Sequence, residues 1–124
     1  MGGNGSFSNG STSTEEGRRW KTIYEFGGDI KIIELKNSKD PIKLPEESHS
    51  PNVTYAIFNK GGKTIKAVAK YNGEGKKLFE IHTAPHKGLQ PHYHNWQDGR
   101  PADIHQLDDS KQYLLNKILF LNSD

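Results

Sequence analysis

The stretch VTYAIFNKGGKTIKAVAKYNGEGKKLFEIH, residues 53–82, decides the fold. It contains three segments rich in β-branched, aromatic and alternating apolar residues: 53–59, 63–72 and 76–82. The connectors Lys60-Gly61-Gly62 and Gly73-Glu74-Gly75 each end in a glycine, which suits the left-handed position of a three-residue hairpin loop. The stretch therefore predicts three consecutive antiparallel strands.

The shared loop length also predicts a register for both hairpins. The register pairs apolar residues with each other: Ile57 with Ile65, Tyr55 with Ala67, Val53 with Ala69, Ala69 with Phe79 and Ala67 with Ile81. These residues then share one face, since paired residues of neighbouring strands point the same way. His82 is expected opposite Lys66 on the other, open face.

Two more strands precede this stretch, and a loop joins them to it. Trp20–Phe26 and Ile30–Leu35 are rich in alternating or β-branched apolar residues, and Gly27-Gly28-Asp29 predicts a turn between them. Residues 36–51 contain three prolines and several charges, which predicts a surface loop.

A short hairpin and a helix complete the predicted fold. Residues 92–96, the turn Gln-Asp-Gly and the segment from Arg100 predict the hairpin. Asp108 or Asp109 can cap a helix that runs to about Leu121. The helix has an apolar stripe that suits packing on the sheet: Leu114, Leu115, Ile118 and Leu121. The fold class is α+β: an antiparallel β-meander of about five strands plus a short hairpin, covered on one face by a C-terminal helix.

Composition divides the chain into two parts. Residues 1–17 are mostly Gly, Ser, Thr and Asn, which predicts a flexible lead-in. Residues 18–124 are long enough for a single α+β domain. No apolar run approaches the length of a membrane span, so no membrane partner is expected. The absence of cysteine excludes disulfides, cysteine–zinc sites and thiol nucleophiles.

The formal net charge of +2 is small, but lysines concentrate between residues 60 and 100. A local basic field of this kind is compatible with phosphate, and hence with RNA. A lysine-rich, solvated sheet surface is the structural alternative.

Five of the six histidines lie within residues 82–105, in a segment interrupted by proline and glycine. Imidazole can donate or accept a proton near neutral pH, so metal-free RNA cleavage is the first hypothesis. His82, His92 and His94 are the candidate catalytic acids and bases, and no cofactor is needed. The candidate substrate-binding residues are Lys66, Lys87 and Arg100 for phosphate and Trp96 for stacking on a base.

A divalent metal site, such as a zinc site, is the alternative hypothesis for the same segment. The candidate ligands are His82, His86, His92 and His94, with Asp98 as a further carboxylate. Both hypotheses require His82, His92 and His94 to converge on one face, with Lys66 beside His82. Imidazoles close enough to chelate favour the metal, whereas a gap of phosphate width favours acid–base cleavage.

Three strings of the sequence carry a resemblance to known proteins: Glu16-Gly-Arg-Arg-Trp-Lys-Thr22, Pro51-Asn-Val-Thr-Tyr-Ala-Ile-Phe-Asn59 and Pro91-His-Tyr-His94. The chain resembles small bacteriophage and prophage proteins that accompany minor-capsid genes, and related C-terminal domains of polymorphic toxins.

The resemblance implies a phage-associated or toxin-like RNA-cleaving domain. It also implies an alternative, a non-enzymatic accessory that binds a phage capsid or portal protein. The partners implied are RNA, a phage structural protein or an immunity protein. The location implied is the cytoplasm of a bacterial host, with association to the virion as the alternative.

Overall fold

A computed structural model of the protein describes residues 19–84 and 91–121. These residues form one seven-stranded sheet and one long helix. The strands follow one another across the sheet in chain order: β1 (Trp20–Phe26), β2 (Ile30–Leu35), β3 (Thr54–Phe58), β4 (Ile65–Tyr71), β5 (Lys77–His82), β6 (His92–Gln97) and β7 (Arg100–Gln106). The helix, α1, spans Asp109–Leu121. The predicted α+β class is confirmed.

The sheet differs from the predicted meander in two respects. β2 and β3 are parallel, with Ile30 paired to Thr54, whereas every other neighbouring pair is antiparallel. In addition, the two strands of the predicted short hairpin belong to the same sheet, because β6 pairs with β5. The sheet therefore has seven strands, and the predicted count of about five and the details of the hairpin differ from the structure.

Both faces of the sheet are packed. The helix-side face lies under α1 and carries one buried apolar cluster: Ile30, Ile32, Ala56, Ile65, Val68, Ile81 and Tyr93, with Leu115 and Ile118 of the helix. The loop-side face carries a second cluster: Trp20, Ile33, Leu44, Val53, Tyr55, Ile57, Ala67, Ala69 and Tyr71. The domain is thus a sheet between two apolar layers, one helical and one irregular.

The irregular layer is the segment 36–53, of which the sequence predicted residues 36–51 to be a surface loop. Leu44 in this segment is buried, and Ile42 packs against the same cluster. Side chains of the sheet hold its backbone: Trp20 Nε1 donates to Lys43 O at 2.9 Å and Lys66 Nζ donates to Ile42 O at 2.7 Å. The segment is therefore a structural layer that shields part of the loop-side face from water.

The predicted register of the first hairpin was wrong by two residues. The amide of Asn59 donates to Thr64 O, so the loop is one residue longer than predicted. A bulge at Lys66 then adds a second unpaired residue, and Tyr55 pairs with Ala69 rather than Ala67. The register at Tyr55 differs from the predicted one by two residues, and side chains of a strand alternate between faces with a period of two. Tyr55, Ala67 and Ala69 therefore still share a face as predicted.

The second hairpin has the predicted loop but a different register. The amide of Asn72 donates to Lys76 O at 2.9 Å, and Gly75 has φ +79°, as a three-residue loop with a left-handed glycine requires. A bulge at Leu78 then shifts β5 by one residue, so His82 pairs with Ala67 and not with Lys66. A one-residue shift relative to the neighbouring strand moves each side chain of β5 to the opposite face of the sheet.

The consequence of this shift is that Phe79 and Ile81 pack on the helix-side face. Glu80 and His82 lie on the loop-side face, opposite Ala69 and Ala67. Glu80 is buried on this packed face, with 8% exposure, whereas the side chain of His82 is 35% exposed.

Gly75 is the residue at which a small substitution should cost most stability. A Cβ at this position would lie 2.4 Å from Ser48 O, and the positive φ is unfavourable for any L-residue. We expect Gly75→Ala to lower the free energy of unfolding in urea by about 2–3 kcal/mol, from strain and overpacking together.

Gly73→Ala is the matched control for Gly75→Ala. The nearest atoms to a Cβ at Gly73 belong to the Asn52 side chain at 3.8 Å, and its φ is not positive. Equal losses of unfolding free energy in the two variants would contradict the close approach of Gly75 to Ser48 O.

Helix α1 begins where the sequence predicted. The amide of Lys111 donates to Asp108 Oδ1 at 2.9 Å, which caps the first turn. The predicted apolar stripe is confirmed, because Leu115 and Ile118 are buried and Leu114 and Leu121 pack against the same cluster. Within residues 19–84 and 91–121, no helix has both the length and the apolar character needed to cross a membrane.

The cap makes stability depend on pH in the acid range. Hydrogen bonds from the Lys111 amide and Ser110 lower the pKa of Asp108 from 3.8 to about 2. The unfolded carboxyl therefore takes up its proton first as the pH falls. The stabilisation is complete above the ordinary pKa of 3.8 and is lost as the pH falls toward about 2.

Asp108→Asn should flatten this dependence, because asparagine caps a helix without titrating. We expect the melting temperature of the wild type to fall more steeply than that of the variant between pH 3.8 and about 2. Parallel melting curves for the two proteins across this range would contradict the assignment of the cap.

Candidate metal centre

Three histidines project from the loop-side face at the junction of β5 and β6. His82 is the direct cross-strand partner of His92, and Glu80 is the partner of His94. Paired residues share a face, and residues two apart on a strand share a face as well. The strand register therefore places His82, His92 and His94 around one point.

The three imidazoles form a compact triangle. Their ring centroids lie 5.1–5.2 Å apart, and each ring offers one nitrogen within 4.8 Å of the other two. His92 is 2% exposed, whereas the side chain of His82 is 35% exposed. The triangle thus has a buried corner at His92 and an accessible side at His82.

Glu80 fixes the orientation of the His82 ring. Its Oε2 atom lies 2.7 Å from His82 Nε2, and the ionised carboxylate can only accept a hydrogen bond. The proton is therefore on Nε2 of His82, which leaves Nδ1 as the atom with a lone pair. A carboxylate that holds the far nitrogen of a histidine is the usual second shell of a protein metal site.

Lys77 forms a buried ion pair with Glu80. Lys77 Nζ lies 2.6 Å from Glu80 Oε1, and the two side chains are 2% and 10% exposed. Burial alone would raise the pKa of Glu80, but hydrogen bonds from His82 and Lys77 and the charge of Lys77 hold it below its ordinary value. Burial lowers the pKa of Lys77, and the charge of Glu80 opposes that shift. Glu80 is therefore a fixed negative charge behind His82.

Trp96 follows His92 and His94 at two-residue spacing along β6. The ammonium of Lys77 lies 3.9 Å from the centre of the Trp96 ring, a cation–π contact. One ring face is thus occupied by Lys77. The predicted stacking of a base on Trp96 is restricted to the other face.

The candidate phosphate ligands do not all gather at the histidines. Lys66 lies on β4 next to Ala67, the partner of His82, and the amide of Thr83 donates to Lys66 O at 3.1 Å. Arg100 pairs with Gln97 at the far end of the β6–β7 hairpin. The structure therefore brings the backbone of Lys66 beside the strand of His82, but the Lys66 ammonium is bonded to Ile42 O. Arg100 lies at the far end of the hairpin.

Other candidate residues lie outside the cluster. Asp98 has φ 54° and forms the hairpin turn with Gly99, so its role is conformational and the ligand prediction is not supported by its position. His105 bonds Asp103 and stacks on Tyr93, away from the triangle. His86 and Lys87 lie outside the described residues.

Glu80 and Lys77 are the site residues that sequence reasoning missed. The spacing of Glu80 and His82 predicts a shared face, and this signal was available. Lys77 is three residues from Glu80, which in a regular strand puts the two on opposite faces. Only the bulge at Leu78 brings them together, and no feature of the sequence predicted that bulge.

Comparisons with known proteins give no relationship for this domain: no protein-family model matches the chain, and neither the curated proteins nor the solved structures contain a match. The resemblance to phage and toxin proteins, with the partners and location that it implies, therefore stays a prediction.

Proposed function

We propose that this domain binds one divalent transition metal ion, with zinc as the reference ion, through His82, His92 and His94. The observation that carries the proposal is the approach of the three ring nitrogens to within 4.8 Å of one another. Nitrogens of a tetrahedral zinc site lie about 3.4 Å apart, given a zinc–nitrogen distance of about 2.0–2.1 Å. Small side-chain rotations suffice to close the difference.

The surroundings of the three histidines support a metal site more than they support three independent acid–base catalysts. Imidazole suits zinc, copper and nickel, and a cation among three neutral rings incurs no repulsion from them. Glu80, held ionised by Lys77, places a negative charge directly behind His82. This charge favours a cation on the other side of the His82 ring.

Isothermal titration of zinc into the chelator-treated full chain tests the proposal. We expect one site per chain, with loss of the signal in excess EDTA. His105→Ala is the matched control, because His105 bonds Asp103 outside the triangle and should leave binding unchanged. A dissociation constant weaker than about 100 µM, or about −5.5 kcal/mol, would contradict a dedicated site.

Metal-free RNA cleavage is the second candidate function. The contact of His82 with Glu80 favours it, because the reaction needs an oriented base. Incubation of the chain with total RNA in EDTA, across about pH 5 to 8, separates the candidates, since histidines titrate in this range. Intact RNA under these conditions would exclude the metal-free reaction and leave the metal proposal standing.

A further inference from the structure

A cavity of about 580 Å³ lies at one end of the sheet. It opens between the end of β2, the first part of segment 36–53, the end of β3 and the loop that joins β3 to β4. Its volume is within the range of about 300–1,000 Å³ that is typical of sites for small ligands. The three histidines are carried by β5 and β6, so the cavity is a separate feature of the domain.

The parallel pairing of β2 with β3 explains why a cavity forms here. Ile33 pairs with Ile57, so the two strands reach their carboxyl ends side by side. After β2 the chain crosses the loop-side face, where Leu44 is buried, whereas after β3 it turns into β4. Connections that diverge from neighbouring parallel strands leave a crevice at their carboxyl ends, which is where open sheets of parallel strands bind ligands.

Part of the lining of the cavity is apolar. Four apolar side chains from three elements contribute to it: Leu35, Ile42, Ile57 and Phe58. Ile57 is buried, but the other three are only half-buried and keep apolar surface in contact with water. Removal of such surface from water is the main driving force for the binding of apolar groups.

The charged part of the lining is basic. Lys39 lines the cavity from segment 36–53 and Lys60 from the β3–β4 loop, and both residues are exposed. Glu34 also lines the cavity, but its carboxylate is paired with Lys21 at 3.2 Å. The cavity therefore combines apolar surface with two cations, and a complementary ligand has an apolar body and an anionic group.

We propose that this cavity binds a small organic carboxylate with an apolar body. The body covers the half-buried side chains of Leu35, Ile42 and Phe58, and the carboxylate lies between the ammonium groups of Lys39 and Lys60. Lysine carries its charge on a flexible stem, so two side chains from different elements can reach one carboxylate. The inference goes beyond the proposed function, because the lining of the cavity and the metal ligands share no residue.

An NMR titration of decanoate into the isotope-labelled full chain, below the micellar concentration, tests the proposal. The backbone amide shifts identify the residues that the ligand contacts. We expect saturable binding with a dissociation constant of about 1 mM or tighter. The shifts should include Ile42, Gly61 and Gly62, which line the cavity. Decanol lacks the charge and acetate lacks the apolar body, so each should bind at least about fivefold more weakly.

Lys60→Gln and Lys63→Gln are the matched pair of variants. Both lysines are exposed in the β3–β4 loop, so neither substitution should impair folding, but Lys63 is outside the lining. We expect the affinity for decanoate to fall by about fivefold in Lys60→Gln, the upper end for one exposed ion pair, and to stay unchanged in Lys63→Gln. An equal fall in both would show attraction to the general charge of the loop and would overturn a specific carboxylate site.

Two other results would also overturn the proposal. Decanol that binds as tightly as decanoate would exclude the anionic class of ligand, and decanoate shifts confined to other parts of the chain would exclude the cavity. Neither result bears on the three histidines, since Lys60→Gln should leave the zinc titration unchanged. Failure of the carboxylate site and failure of the metal site are therefore distinguishable.

Discussion

Replacing His92 by alanine is expected to weaken zinc binding by more than about 100-fold, since even the loss of a second-shell partner costs 10–100-fold. His92 is the buried corner of the triangle and the cross-strand partner of His82. Without it, only two imidazoles remain, and water must replace the third ligand. Within the described parts of the chain, residues 19–84 and 91–121, no other histidine joins this group.

The effect of His92→Ala is measured as a change in zinc affinity and as a change in thermal stabilisation. Zinc at about 100 times its dissociation constant should add about 2.7 kcal/mol to the free energy of unfolding of the wild type. The variant should show no such gain at the same zinc concentration. His94→Ala, at a half-buried corner, repeats the test in case the buried substitution impairs folding. Full zinc affinity in a folded variant at either position would refute the three-histidine site.

Replacing Lys77 by methionine is expected to produce the largest loss of stability, about 3–5 kcal/mol. The substitution keeps most of the side-chain volume but leaves the carboxylate of Glu80 buried without its cation. The Trp96 ring also loses its ammonium contact. Because Glu80 orients His82, zinc affinity should fall as well, by 10–100-fold in a variant that still folds.

Lys76→Met is the control for this substitution. Lys76 is the adjacent residue, and its pair with Glu47 is solvent-exposed, so urea unfolding should change little. The double variant Lys77→Met with Glu80→Leu should recover much of the lost stability, because it removes the unpaired charge. It should not recover zinc affinity. A Lys77→Met protein as stable as Lys76→Met would contradict the buried pair.

The strands and the helix could be predicted from the sequence because their signals are local. Alternation, glycine loops and the Asp108 cap place each element within a residue or two of its observed ends. The register depends instead on bulges at Lys66 and Leu78, which extend a strand by one residue without changing its composition. The parallel pairing of β2 with β3 depends on where segment 36–53 packs, and that is a tertiary interaction.

The candidate site could be predicted in part for the same reason. His92 and His94 share a face through their spacing alone, and the proximity of His82 follows from the order of the strands. The environment of His82 could not be predicted, since the bulge at Leu78 pairs His82 with Ala67 and brings Lys77 onto the face of Glu80 and His82. The chemistry was visible in the residue types, whereas its electrostatic support was visible only in the fold.

The order of the strands has a consequence for how long a ligand would stay bound. Both strands that carry the histidines are interior, because β4 flanks β5 and β7 flanks β6, while β1 and β7 form the edges. Local opening of a sheet begins at its least protected strands, and amides of interior strands exchange with solvent only in larger openings. Fraying of β1 or β7 would leave β5 and β6, the strands that carry the three histidines, hydrogen-bonded to each other. The residence time of a bound ion would then be set by rotation of the imidazoles and not by breathing of the sheet.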